Sequence, residues 1–338
     1  MQFTLSDLFL ITGAAGLLGS QLVEQIQIHG HRVRAFVRPS SDTRRLQQLG
    51  VELCSGDLED IATIRRAVQG VTKVFHCAAH VGDWGSWQEF YQGNVIATEN
   101  LVQACREADE PRLVHVSSIS VYGNFHPTGS LGRENMPLGE NHWLWDHYGR
   151  SKVWGENVVR QYPNHVILRP SWVYGPGDRN AIPRIVGALR QGRVRWIGNG
   201  KNLLNMVFVG DVARGALLAG TKDEALGKAY HLCSPGELNQ REVLHLLCEM
   251  LDLPPVRRAV PLSLAWQAAF VLEAVYRLCR SKHPPPITRR AIYMVGRTTH
   301  FSIEAAKRDL GWEPEIGLQK GLAQTFDWYR QAGLLELD

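Results

Sequence analysis

The segment Thr12-Gly13-Ala14-Ala15-Gly16-Leu17-Leu18-Gly19 restricts the folds open to this chain more than any other. It follows an apolar run, Leu8–Thr12, that reads as a buried strand. It leads into Leu17–His29, which reads as a helix. Gly13 permits a tight turn, Gly16 lets the backbone approach a pyrophosphate, and Gly19 lets the helix pack closely. The helix start offers unpaired N–H groups and a favourable dipole to phosphates. The spacing is GxxGxxG, and a structural glycine turn would show the same letters. The strand before and the helix after are the context that phosphate binding requires. Gly13, Ala15, Gly16, Leu17, Leu18 and Gly19 are therefore candidates for cofactor binding.

The same rhythm continues. Strands are expected at Arg32–Val37, just before Gly56, at Lys73–His76, Arg112–Val116 and His165–Leu168. Helices are expected at Ile61–Val68, Glu99–Ala108 and Asp146–Arg160. Alternation of this kind predicts an α/β fold, a doubly wound parallel sheet with helices on both faces. After Pro170 the elements shorten. Met206–Val209 and Lys228–Leu232 read as strands, and Glu242–Met250 and Leu264–Leu278 as helices. The expected division is a nucleotide-binding domain over residues 1–172, rejoined by 201–235. A smaller substrate-binding lobe takes 173–200 and 236–338.

At the expected ribose end of the second strand, Val37-Arg38-Pro39-Ser40-Ser41 carries no carboxylate. An acid there would bind the ribose hydroxyls of NAD, whereas Arg38 suits a 2′-phosphate, or stacking on the adenine without discrimination. This favours NADP over NAD. Asp57-Leu58 follows the third strand; Asp57 suits the adenine amino group or the cap of the next helix.

Tyr148 and Lys152 stand four apart on an expected helix, which puts both on one face. An ammonium nearby favours phenolate, so Tyr148 becomes a usable acid or base. Ser117 and Ser118 lie at the C-terminal end of the fifth strand, the ligand edge of such a sheet. There the Ser118 hydroxyl suits the reacting oxygen.

The net charge of +4 is spread along the chain and does not argue for nucleic acid. The six cysteines (54, 77, 105, 233, 248 and 279) form no CxxC pair and no metal spacing with histidine, so reduced thiols and no metal are expected. The apolar stretch Leu8–Leu18 lacks a basic leader and is broken by glycines, which argues against a signal peptide. No run is apolar for long enough to span a bilayer. A cytoplasmic location is expected, with peripheral membrane contact left open.

Taken together, Thr12–Gly19, Asp57-Leu58, His76-Cys77-Ala78-Ala79, Asn94, Ser117–Gly123, Tyr148–Lys152 and Arg169–Asp178 resemble the extended short-chain dehydrogenase/reductases over nearly the whole chain. The chain is most similar to the 3β-hydroxysteroid dehydrogenase and sterol-4α-carboxylate 3-dehydrogenase branch, with its bacterial 3-oxoalkanoate reductases. Val81–Trp87, Ile197–Asn202 and Gly227–Tyr230 carry that closer likeness. The resemblance implies a Rossmann sheet with a smaller C-terminal lobe, and cofactor contacts at Ala78, Ala79, Ser117, Pro170 and Val173. It implies Ser118 as the substrate-positioning residue, Tyr148 as acid/base and Lys152 on the ribose. It also implies a homodimer through the helices at Glu99 and Tyr148.

Ile119-Ser120 stands where sugar dehydratases carry an acid pair, and Arg169-Pro170-Ser171-Trp172 where epimerases carry an asparagine. Both departures favour a dehydrogenase or reductase acting on a small hydrophobic substrate. A nucleotide-sugar epimerase and a non-catalytic cofactor-binding sensor are the alternatives. The apolar stretch Leu262–Leu272 suits an acyl or sterol pocket, a membrane interface or a packed core alike. Arg277, Arg280, Lys282, Arg289 and Arg290 beside it suit lipid headgroups or solvent. Trp84, Trp172 and Tyr174 are the substrate-lining candidates.

Overall fold

A computed structural model describes residues 7–124, 131–236 and 238–334. Seven parallel strands form the central sheet: β1 (Leu8–Thr12), β2 (Arg32–Val37), β3 (Glu52–Ser55), β4 (Lys73–His76), β5 (Arg112–Val116), β6 (His165–Pro170) and β7 (Ala229–Leu232). Their order is β7-β6-β5-β4-β1-β2-β3. The order reverses between β1 and β4, which opens a crevice at their C-terminal ends. β1, β6 and β7 are almost wholly buried because both faces of the sheet are covered.

One face is packed by α1 (Leu17–Ile28) and by the later helix Val209–Thr221. The other is packed by Ile61–Ala67, α2 (Ala97–Glu107) and the end of α3 (His147–Val159). α3 is tied to the sheet by a fully buried ion pair. Arg169 on β6 donates to both carboxylate oxygens of Glu156, at 2.8 and 2.7 Å. The helix Val209–Thr221 is α4 below.

The smaller lobe has its own core from Ala181–Arg190, Gln240–Met250 and Leu318–Gln331. Beside it lie α5 (Leu262–Leu278) and α6 (Arg289–Gly296), which pack on each other around Ala265, Ala269 and Ile292.

Several expectations are revised. Met206–Phe208 pairs with Trp172–Tyr174 in a separate two-stranded parallel ribbon outside the main sheet. The helix expected from Glu99 is the second half of a longer one. Ser86 and Glu89 form a capping box that starts it at Trp87, and a π-turn at Gln92–Ile96 carries it into α2. The last stretch assigned to the substrate lobe partly leaves it. His300–Phe301 pairs with Leu131–Gly132, and Trp312 is fully buried in the nucleotide-binding core, donating to the Asp211 carbonyl at 2.8 Å. Asp60, not Asp57, caps the helix after β3; Asp57 accepts from the Glu59 N–H. Among the described residues all six cysteines are free thiols, and no helix is long and apolar enough to cross a membrane.

Candidate active site

A single cavity of about 2400 Å³ runs from the β1 turn, past the ends of β4 and β5, into the smaller lobe. Its first wall is the glycine turn. Gly13 has φ +68°, and a Cβ there would stand 2.8 Å from the backbone of Ala78, just past β4. At Gly19 a Cβ would stand 2.8 Å from Ala14 Cα and collide with the Gly13 carbonyl. The turn is therefore pressed flat against both the next strand and its own helix. α1 starts at Gly16 with no side-chain cap and no acid in its first turn. Its first N–H groups are left for an anion. A cradle that side chains would fill, open at a helix start, fits the pyrophosphate of a dinucleotide.

Arg38, Asp57 and Leu58 line the cavity past β2 and β3. A carboxylate absent from the expected strand end is present further along. Asp42 is on the same wall, but Arg44 holds it at 2.8 Å, with Arg179 at 3.6 Å. Ala78, Ala79, Ser117, Pro170 and Val173 line the continuation. Asn94, in the π-turn, fixes this stretch. Its amide oxygen accepts from the His80 N–H at 2.6 Å, and its nitrogen donates to the His80 carbonyl and to Ser151 Oγ.

Ser118 and Tyr148 are buried at 8% and 7% exposure, and both line the cavity. Ser118 is held by its own turn: its Oγ accepts from the Ser120 N–H at 3.1 Å and donates to Ser120 Oγ at 3.0 Å. Tyr148 sits in the first turn of α3, which Asp146 caps by accepting from the Gly149 N–H. Lys152, one turn on, donates to the Val116 carbonyl at 2.9 Å; its Nζ is 5.9 Å from the Tyr148 ring centre.

Burial pushes the Tyr148 phenol above its ordinary value, opposed by the Arg290 charge and the Ser118 hydrogen bond. Burial draws the Lys152 ammonium down to about 8, against the attraction of Glu156 and Cys77. The positive charge facing the phenol is thus that of Arg290, on α6. Its guanidinium lies 4.3 Å from the Tyr148 ring centre and donates to Ser120 Oγ at 3.1 Å.

The structure therefore revises the reading of the basic cluster. Arg290 lines the cavity, Arg289 is buried against Glu273, and Arg277 lies between Trp84 and Trp145. Only Arg280 and Lys282 of that set are exposed. Two substrate candidates also move. Trp84 is outside the cavity, packed on Arg277 and Tyr276 with its indole N–H on the Ser281 carbonyl. Tyr174 is 1% exposed in the lobe core, its hydroxyl donating to the Leu318 carbonyl. Trp172 does line the cavity. Beyond Ser118 and Tyr148 the walls are largely apolar, with Leu204, Met206, Leu244, Leu264, Ile287 and Met294, interrupted by Arg184, Arg193 and Arg195.

The NAD dependent epimerase/dehydratase family model matches residues 9–233. The 2-alkyl-3-oxoalkanoate reductase of Stenotrophomonas maltophilia (strain K279a) is 34% identical over 325 residues, covering 93% of this chain and 96% of the reductase. The sterol-4-alpha-carboxylate 3-dehydrogenase, decarboxylating, of Mus musculus is 28% identical, covering 93% of this chain and 89% of that protein. Among solved structures, gox2253 superposes with a TM-score of 0.81 at 28% identity, over 97% of this chain and 99% of its own. MoeE5 in complex with UDP-glucose and NAD gives 0.72 at 26%, over 96% and 99%.

Proposed function

The chain belongs to the NAD dependent epimerase/dehydratase family, and from that premise we propose that it interconverts a secondary alcohol and a ketone on a hydrophobic substrate of the 3-oxoacyl or 3β-hydroxysterol type. As an NAD(P)-dependent oxidoreductase it acts on CH–OH or keto groups, like its reductase and dehydrogenase relatives. The observation that carries the substrate reading is the Ser118–Tyr148 hydroxyl pair at the mouth of an apolar pocket continuous with the glycine turn.

A bound nicotinamide supplies the hydride in the reducing direction and takes it back in the other. Gly13, Ala15, Gly16, Leu17, Leu18 and Gly19 hold its pyrophosphate. Ala78, Ala79, Ser117, Pro170 and Val173 flank the remainder. Ser118 turns its hydroxyl from Ser120 to the substrate oxygen, and Tyr148 gives that oxygen its proton. The two hydroxyls stabilise the charge that develops there. Lys152 spends one N–H on Val116 and keeps two for the ribose hydroxyls. Arg38, with the hydroxyl of Ser41 beside it on the wall, favours the 2′-phosphate of NADP, because Asp42 is already engaged by arginines.

Two further assignments rest on surface. α5 exposes Leu264, Val271, Val275 and Leu278, with Arg280 and Lys282 at its end, which supports peripheral contact with a membrane. Trp154, 47% exposed against Trp87 and Tyr91, supports dimerisation through α2 and α3. Free thiols suit a cytoplasmic setting.

The test is stoichiometric oxidation of NADPH or NADH with a panel of 3-oxoacyl compounds, 3-ketosterols and UDP-sugars. Net consumption with a lipid-like ketone is expected. Isomerised UDP-sugar without net consumption would replace this reading with an epimerase.

A further inference from the structure

Arg290 has no place in the hydride and proton chemistry above, yet it stands beside it. It is 18% exposed on the cavity wall. Two other withdrawn arginines of this chain are held by carboxylates. Arg169 grips both oxygens of Glu156, and Arg289 reaches one oxygen of Glu273 with its side chain and the other with its backbone N–H. Arg290 is treated differently. Asp146, the carboxylate paired with it, is 4.0 Å away and already committed, to His142 at 2.6 Å and to the Gly149 N–H at 3.2 Å. Among the described residues the hydrogen bond of the Arg290 guanidinium is to a neutral hydroxyl, Ser120 Oγ.

A guanidinium withdrawn from water without a close counter-ion is costly. Its planar fork matches a carboxylate in two parallel bonds. The location sets where that carboxylate must be. Arg290 donates to Ser120, Ser120 accepts from Ser118, and the Arg290 guanidinium itself lies over the Tyr148 ring. The anion site is one hydroxyl away from the pair that takes the reacting oxygen. The glycine turn for the cofactor phosphates lies elsewhere, at the end of β1, with β4 between it and β5.

We propose that Arg290 binds a carboxylate attached to the carbon next to the reacting one, so that the substrate is a free 3-oxo or 3-hydroxy acid with an apolar body, not a neutral ketone or an acyl thioester. This deepens, and rests on, the oxidoreductase reading of the same site. Arg290 sets specificity, holding the acid so that the reacting oxygen falls between Ser118 and Tyr148 while the apolar chain runs toward Leu204 and Leu244.

The experiment compares a 2-alkyl-3-hydroxyalkanoate with its methyl ester, in the oxidising direction, for wild type and Arg290→Gln. Wild type is expected to favour the acid in kcat/KM by about tenfold to a hundredfold. In Arg290→Gln the preference falls to near parity, and Arg290→Lys keeps part of it. Any effect of the substitution on Tyr148 applies to both substrates and cancels in the ratio. Equal use of acid and ester by wild type, or an unchanged preference in Arg290→Gln, overturns the proposal. If wild type oxidises neither, the oxidoreductase reading of the substrate has failed instead. Calorimetry with the same two compounds then decides on Arg290 by itself: tighter binding of the acid that Arg290→Gln abolishes supports it, and equal binding overturns it.

Discussion

The guanidinium of Arg290 lies over the ring of Tyr148, its central carbon 4.3 Å from the ring centre. Burial raises the phenol's pKa and this charge opposes the rise, so Tyr148 stays protonated through neutral pH. That is the state a proton donor needs. Tyr148→Phe removes the proton and keeps the ring under Arg290. Ketone reduction should fall by about 10²–10⁴-fold, while NAD(P)H affinity measured by fluorescence stays within a few-fold. A variant that turns over like wild type would falsify the acid role.

Lys152 gives the pH dependence. Its ammonium titrates near 8 because it is buried. The charged form, needed at the ribose, is present below that value. kcat/KM for reduction should be flat up to about pH 8 and decline above it, and a profile rising through pH 8 would contradict the assignment. The same burial has a stability sign. Below pH 8 the folded state holds a charge that the unfolded state solvates. The penalty is full there and fades as pH rises from about 8 toward the unfolded value of 10.5. Lys152→Met at pH 7 should therefore stabilise the fold by roughly 2 kcal/mol: about 3 from the shift, less about 1 for the lost bond to Val116. Denaturant titration at pH 7 and at pH 10 checks both the gain and its shrinkage.

Gly13 and Gly192 separate strain from space. Both have positive φ, +68° and +62°, but nothing lies within 4 Å of a Cβ at Gly192. Gly192→Ala should cost about 1–2 kcal/mol and leave cofactor affinity alone. Gly13→Ala adds a collision with the Ala78 backbone, so it should cost more and weaken cofactor binding at least tenfold. Equal losses at the two sites would mean that the turn does not press against β4.

Arg38→Ala tests the cofactor choice. If this side chain meets a 2′-phosphate, the NADPH-to-NADH ratio in kcat/KM drops by about tenfold or more, with NADH rates little changed. A ratio untouched by the substitution removes Arg38 from discrimination.

What the sequence shows of this site follows from how local each device is. The glycine turn sits inside one strand–helix unit, and Tyr148 and Lys152 sit one helical turn apart; spacing alone reveals both. Arg290 enters from a helix far along the chain, among basic residues that read equally as solvated. Its neighbour Arg289 goes to Glu273 and it alone of the two turns to Tyr148. No periodicity announces that. Tyr174 misled because its burial depends on the helix Leu318–Gln331, which closes on it at Gly321 and left no strong signature of its own. Trp84 misled because an aromatic in a loop beside a pocket has many partners to choose from, and here it chose Arg277. The doubly wound parallel sheet was legible from the alternation; the π-turn at Asn94 was not.

The indole of Trp312, which completes the nucleotide-binding core, comes after α5 and α6 of the substrate lobe in the chain, with the helix Leu318–Gln331 still to follow. The two ends of the chain thereby share one core, and a chain cut before Trp312 would lack part of the packing behind the cofactor cleft.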